Sequence, residues 1–130
     1  MLSLLSRLHL TLAVALLHVS PPLAADQPLG KVEIAKRGKA ATVLVEAKEA
    51  RAYGTAFCIH SSGLFLTNEH VIHPANEGPI TLILHPGLKT QKLFQAKVLR
   101  SDKKLDLALL RAEGAKDLPA LALGSNDNLT

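Results

Sequence analysis

The stretch GTAFCIHSSGLFLTNEHVI, residues 54–72, decides the fold. Two short runs rich in apolar residues lie on either side of Ser61-Ser62-Gly63, and a serine-glycine cluster of this kind is typical of a turn. The pattern therefore predicts a strand, a tight turn and a second strand. His70 stands just where the apolar pattern breaks. We expect it to end the hairpin, with its backbone held by the sheet and its ring free to face a cleft.

Short apolar runs of the same kind recur on both sides of this hairpin. Many short strands separated by turn signals are typical of an all-β barrel or sandwich. After residue 25 no long stretch has a helical period, and there is no internal repeat. We predict a polar segment at 26–40 that leads into an all-β domain at 41–130. The candidate strands are 42–48, 52–60, 64–67, 79–85, 92–100 and 106–111.

The first 25 residues have the composition of a secretory signal peptide. Arg7 supplies a positive charge, residues 8–19 are apolar, and Leu23-Ala24-Ala25 is a small-residue cleavage pattern. The apolar run is too short to cross a bilayer comfortably. We predict cleavage after Ala25 and export from the cytoplasm. The alternative is an uncleaved segment that anchors the chain in a membrane.

Composition narrows the class of protein further. Cys58 is the only cysteine, so no internal disulfide can form and the core must hold the fold. Its place inside a strand pattern predicts a buried, small apolar residue. The formal net charge of +4 falls to +3 when the first 25 residues, with one arginine and no acid, are removed. Basic residues are not interleaved with aromatic ones, so the sequence does not predict a nucleic-acid partner.

Two later segments complete the pattern that residues 54–72 begin. Residues 101–113 (SDKKLDLALLRAE) contain an Asp-Leu-Ala-Leu-Leu run, and residues 118–129 (LPALALGSNDNL) a Leu-Pro-x-Leu-x-Leu-Gly-Ser run. In this order, the three segments resemble those of bacterial trypsin-like serine proteases of the HtrA/Deg type. Residues 54–72 are similar to that family's Gly-Ser-Gly-Phe and Gly-Leu-Ile-Leu-Thr-Asn-x-His-Val segment. Ala56 departs from the family pattern, since many relatives have glycine there.

The resemblance implies a chymotrypsin/trypsin-like fold of two six-stranded antiparallel β-barrels, with this chain forming the first. It identifies His70 as the catalytic histidine and Asp106 as the catalytic aspartate. It implies a polypeptide substrate, a periplasmic or secreted location and a parent protein that can form oligomers, with no cofactor and no metal. Val71 stands where eukaryotic digestive relatives have a disulfide-forming cysteine, which favours the bacterial type.

A histidine and an aspartate together suit the activation of a serine nucleophile. A serine hydroxyl is a poor nucleophile unless a base removes its proton, and a histidine held by a carboxylate is such a base. Asp106 interrupts the apolar run 105–110, and a lone carboxylate inside a strand is costly unless it is paired. His70 would supply that pairing.

The serine that such a pair activates is missing from the sequence. The serines after residue 25 are Ser61, Ser62, Ser101 and Ser125, and none lies in a Gly-x-Ser-Gly-Gly segment. We therefore predict that residues 26–130 alone have no peptidase activity, and that they form the front part of a longer protease.

Two other interpretations fit the residues. The first is a catalytically inactive barrel that binds a partner through its surface or a sheet edge. The second is a metal site at Glu69, His70 and His73, with His60 and His85 elsewhere. That cluster does not match His-Glu-x-x-His, because the glutamate precedes both histidines, and it lacks a defined third ligand. A Gly-x-Ser-Gly-Gly segment in a longer form of the chain would favour the protease, and its absence the binding module.

Overall fold

The structure is a computed structural model that describes residues 29–48, 51–73 and 78–125. The predicted signal peptide at 1–25 and its cleavage point lie outside these ranges. Within them, no helix is both long and apolar enough to cross a membrane.

Six short strands form a closed antiparallel barrel in the order β1-β2-β3-β6-β5-β4. The predicted all-β barrel is therefore confirmed, and each predicted strand is present with ends that shift by no more than one or two residues. The strands are β1 (Thr42–Ala47), β2 (Ala52–His60), β3 (Leu64–Thr67), β4 (Ile80–Leu84), β5 (Lys92–Asp102) and β6 (Leu107–Ala112).

Alternation along the strands forms the core. In β1 every second residue is buried, and β4 follows the same rule. Phe65, Leu82 and Leu110 are the largest of the fully buried side chains. Burying an aliphatic or aromatic side chain of this size stabilises the fold by about 1.5–3 kcal/mol. Cys58 is buried among them, as predicted, and burial raises the pKa of its thiol, so it is not a reactive thiolate.

β5 departs from the predicted alternation in its second half. Phe94 and Ala96 are half-buried and pack against the core, as expected. Val98, expected on the same face, is 43% exposed, and the register between β5 and β6 shifts between Val98 and Arg100. A bulge of this kind breaks the period-two rule, because one extra residue changes which face the following side chains occupy.

The predicted polar segment at 26–40 contains a helix that its sequence pattern did not indicate. Lys31–Ala41 forms helix α1, which leads directly into β1. Its apolar residues Val32 and Ile34 are 84% and 55% exposed, so the helix has no buried apolar stripe. Hydrophobic periodicity is the main sequence signal for a helix, and this helix carries almost none.

The chain after β6 packs back against the tight turn at 61–63. The backbone N–H of Leu118 donates to the carbonyl of Ser61 at 3.0 Å, and that of Leu121 to the carbonyl of Cys58 at 2.9 Å. Gly63 closes the turn with a φ of +91°, a conformation that suits glycine. The segment after β6 is thus tied to β2 and to the turn that follows it.

Candidate active site

The sequence predicted that His70 ends a strand. In the structure it lies instead in a short helical turn. β3 stops at Thr67, Asn68 is extended, and Glu69–Ile72 forms helix α2. Thr67 Oγ1 donates to the carbonyl of Thr55 at 2.8 Å, which fixes the end of β3. Because Ile72 is buried in the barrel core, the turn is anchored while His70 faces outward.

Asp106 lies just before β6, in the turn that follows β5, so its predicted place inside a strand was wrong. Its φ is +52°, in the left-handed region that aspartate tolerates better than most residues. The side chain is 43% exposed, so the expected cost of burying a carboxylate in an apolar strand does not arise.

The structure brings His70 and Asp106 together although they are 36 residues apart. Nδ1 of the His70 ring lies 2.7 Å from Oδ2 of Asp106, and the backbone N–H of His70 donates to Oδ1 at 3.0 Å. The cause is the antiparallel pairing of β3 with β6, which sets Thr67 opposite Ala108. The residue pair therefore meets just beyond the ends of two paired strands.

Hydrogen bonds favour the ionised form of the Asp106 carboxyl. The backbone N–H of His70 and then its ring hold the pKa of the Asp106 carboxyl below its usual range. An ionised carboxylate only accepts hydrogen bonds, so the ring nitrogen facing it, Nδ1, must carry the proton. Nε2 is then left with a free lone pair, and the side chain of His70 is 70% exposed. The ring is arranged to take a proton from a group that approaches from outside.

His73, which directly follows α2, pairs with a different carboxylate. His73 Nδ1 lies 3.0 Å from Oε1 of Glu69, whose side chain is only 11% exposed. In the three described ranges, no group of three or more histidine, cysteine, aspartate or glutamate side chains is placed to hold a metal ion. Glu69 and His73 thus form one carboxylate–imidazole pair, while His70, the third residue of the alternative metal site, pairs with Asp106 instead.

Sequence reasoning missed two residues that bear on this site. Asn68 Nδ2 donates to both the backbone carbonyl and Oδ2 of Asp106. Gly54 on β2 lies under α2, where an added Cβ would overlap Cγ1 of Val71 and come within 2.7 Å of its Cγ2. Both residues belong to the quoted stretch, but their contacts depend on how separate elements meet in space.

Gly54→Ala is expected to destabilise the fold by about 1–2 kcal/mol, because overpacking outweighs the roughly 0.5–1 kcal/mol that alanine gains over glycine in a strand. Gly38→Ala, at a helical glycine with nothing within 4 Å of the added carbon, is the matched control and should stabilise by roughly 0.5–1 kcal/mol. Urea unfolding of both variants measures the difference. A neutral or stabilising Gly54→Ala would show that α2 does not depend on this close approach.

The closed six-stranded antiparallel barrel matches the fold of trypsin-like peptidases. Residues 54–130 match the family described as trypsin-like peptidase domain, which is more than half of the chain. The chain belongs to this family, and its relatives place it with the HtrA/Deg type.

Two relatives illustrate the similarity in sequence. One is a probable periplasmic serine endoprotease DegP-like of Pseudomonas fulva (strain 12-X), 39% identical over 82 residues. The other, of the same description, is from Hahella chejuensis (strain KCTC 2396), 38% identical over 82 residues. Each match covers 63% of this chain and 16% of the relative. The chain thus spans about a sixth of the length of these relatives.

Solved structures show the same fold. The match to the crystal structure of Deg5 covers 76% of this chain and 50% of the Deg5 chain, with a TM-score of 0.64 and 26% sequence identity. The match to the structure of the HtrA-type protease AlgW with tripeptide covers 75% of this chain and 30% of the AlgW chain, with a TM-score of 0.61 and 30% sequence identity. The barrel described above corresponds to part of each of these chains.

Proposed function

We propose that His70 and Asp106 are the general base and the orienting carboxylate of a serine endopeptidase whose nucleophile lies beyond residue 130. The observation that carries this proposal is the 2.7 Å bond between Nδ1 of His70 and Oδ2 of Asp106. It leaves Nε2 as the basic nitrogen, on a ring that is mostly exposed. A pair that served only to stabilise the barrel would not need to present that nitrogen outward.

The proposed chemistry follows from the free Nε2. As a serine oxygen attacks the carbonyl carbon of a peptide bond, Nε2 of His70 takes the hydroxyl proton, and it later delivers that proton to the leaving amine. Asp106 stays ionised, holds the ring in one tautomer and stabilises the imidazolium that forms between the two steps. Backbone donors for the developing oxyanion are the remaining requirement, and we propose that they come with the nucleophile.

The serines near the barrel turn do not supply this nucleophile in our proposal. Ser62 Oγ lies 2.8 Å from Nδ1 of a different histidine, His60, and accepts a hydrogen bond from Arg111 Nη1 at 3.0 Å. The contact between Ser62 and His60 lies within one turn, because the two residues are two apart in the sequence. It fixes the turn and engages Ser62 with His60 instead of His70. Because no serine after residue 25 lies in a Gly-x-Ser-Gly-Gly segment, we propose that residues 26–130 alone are inactive.

The parent protein is proposed to be exported and to cleave polypeptides in the periplasm. This proposal rests on the periplasmic serine endoproteases among the relatives and on the signal-peptide pattern at residues 1–25. Residues 41–130 would then be its N-terminal barrel. Mass spectrometry of the exported protein should find Asp26 as the first residue, and retention of the apolar run 8–19 would indicate an anchor instead.

Casein cleavage by two lengths of the protein tests the proposed function. Residues 1–130 should leave casein intact, because the serine and the oxyanion donors are absent, whereas a longer form with the second barrel should cleave it. Reading the gene past the codon for Thr130 shows whether a Gly-x-Ser-Gly-Gly segment follows. A longer form that folds, lacks this segment and cleaves nothing would support the binding-module alternative.

A further inference from the structure

The side chain of Asn68 bonds twice to Asp106, which is 38 residues away. Nδ2 donates to the backbone carbonyl of Asp106 at 3.1 Å and to its Oδ2 at 3.2 Å. An amide NH₂ group has two hydrogens, so both bonds can form together. The carbonyl and the ionised carboxylate only accept, and this settles that the amide nitrogen, not its oxygen, faces Asp106.

Asp106 caps helix α2 with its side chain, although Asn68 occupies the position from which a helix is usually capped. Asn68 precedes α2 at the place where asparagine normally caps a helix with its own side chain, yet it makes no such bond. Asp106 Oδ1 instead accepts the backbone N–H of His70, the second residue of α2, at 3.0 Å. The aspartate thus caps the helix from another part of the chain, and the asparagine amide is free to hold the aspartate.

Asp106 is a residue that needs such support. Its backbone is in the left-handed region, at φ +52°, which is uncommon for residues other than glycine even though aspartate tolerates it better than most. Its side chain is 43% exposed, so packing does not fix the rotamer of the carboxylate. Hydrogen bonds must therefore fix the rotamer. The two bonds from Asn68 hold both the backbone carbonyl and the carboxylate of Asp106.

We propose that Asn68 is a positioning residue for the His70–Asp106 pair. By holding Asp106 at two points, it keeps Oδ2 in line to accept the Nδ1 proton of His70. The imidazole then stays in the tautomer whose Nε2 lone pair is free. The meaning of this arrangement for catalysis rests on the proposed function, but the arrangement itself can be tested on the chain as it stands.

The test is the tautomer of His70 in the full 130-residue chain labelled with ¹⁵N. The shifts of both ring nitrogens are read through the carbon-bound ring protons, at a pH where the ring is neutral, and a His70→Ala sample identifies the His70 signals. The wild-type ring should show a protonated Nδ1 and an unprotonated Nε2. In Asn68→Leu, which keeps the branched shape but has no donor, the two shifts should move toward each other as the tautomers mix.

Gln95→Leu is the matched control, since it removes another exposed amide, one that bonds to Thr81 Oγ1 at 3.3 Å on the barrel wall. It should leave the His70 shifts unchanged. Wild-type ring shifts in Asn68→Leu would overturn the proposal. So would loss of the dispersed backbone amide spectrum in that variant, because Asn68 would then support the barrel and not the pair. The readout needs no substrate, so either result leaves the proposed peptidase function to be decided by the casein assay.

Discussion

In the longer protease that we propose, His70→Ala should reduce the turnover of casein by about three to six orders of magnitude, by analogy with other catalytic triads. The serine would lose the base that accepts its proton, and the leaving amine would lose the acid that protonates it. The loss should appear in kcat and much less in KM, since the ring acts on the reacting atoms and not on substrate binding.

His73→Ala is the control for this variant. His73 lies beside α2, its side chain is 65% exposed against 70% for His70, and it also pairs with a carboxylate. Its replacement should leave turnover within a few-fold of the wild type. Full activity in His70→Ala would remove this histidine from the mechanism and contradict its proposed role as the general base.

Asp106→Asn should lower turnover by about four orders of magnitude while the barrel stays folded, by analogy with the same change in other triads. The carboxamide can donate to Nδ1 through its nitrogen, and a ring that accepts there carries its proton on Nε2, where it cannot act as a base. The amide oxygen can still accept one hydrogen bond, so the turn and the start of α2 should survive.

Asp102→Asn provides the comparison for that change. Asp102 is the last residue of β5, and its Oδ1 accepts the backbone N–H of Leu105, in the turn that also holds Asp106, at 2.9 Å. An asparagine oxygen can accept the same bond, so this variant should keep nearly full activity. Equal losses in Asp102→Asn and Asp106→Asn would indicate that the turn as a whole matters and that the carboxylate of Asp106 has no special part.

The strands were predictable because they depend on local alternation. The runs at 42–48, 52–60 and 64–67 carry β-branched and apolar residues between clear turn signals, and their strands agree closely with the prediction. Helix α1 was not predictable in this way, because its larger apolar residues, Val32 and Ile34, face solvent and form no apolar stripe. A four-residue helix such as α2 is likewise too short to carry a helical period.

The pairing of His70 with Asp106 was predictable only through motif order, and its local geometry was not. The left-handed backbone of Asp106 is supported by bonds from Asn68 and from the backbone N–H of His70, which lie in another part of the chain. Gly54 likewise matters because Val71 approaches it in space. Contacts between residues far apart in sequence have no local pattern, so the residues that position the pair emerged only from the structure.

Labelling of the active serine tests the central claim most directly. A fluorophosphonate reacts with a serine that has been activated by a base, and peptide mapping then locates the labelled residue. In the proposed longer protease, the label should map beyond residue 130 and should be lost in His70→Ala, while His73→Ala keeps it. A label on Ser61, Ser62, Ser101 or Ser125, or a label beyond residue 130 that forms as fast in His70→Ala as in the wild type, would contradict the account.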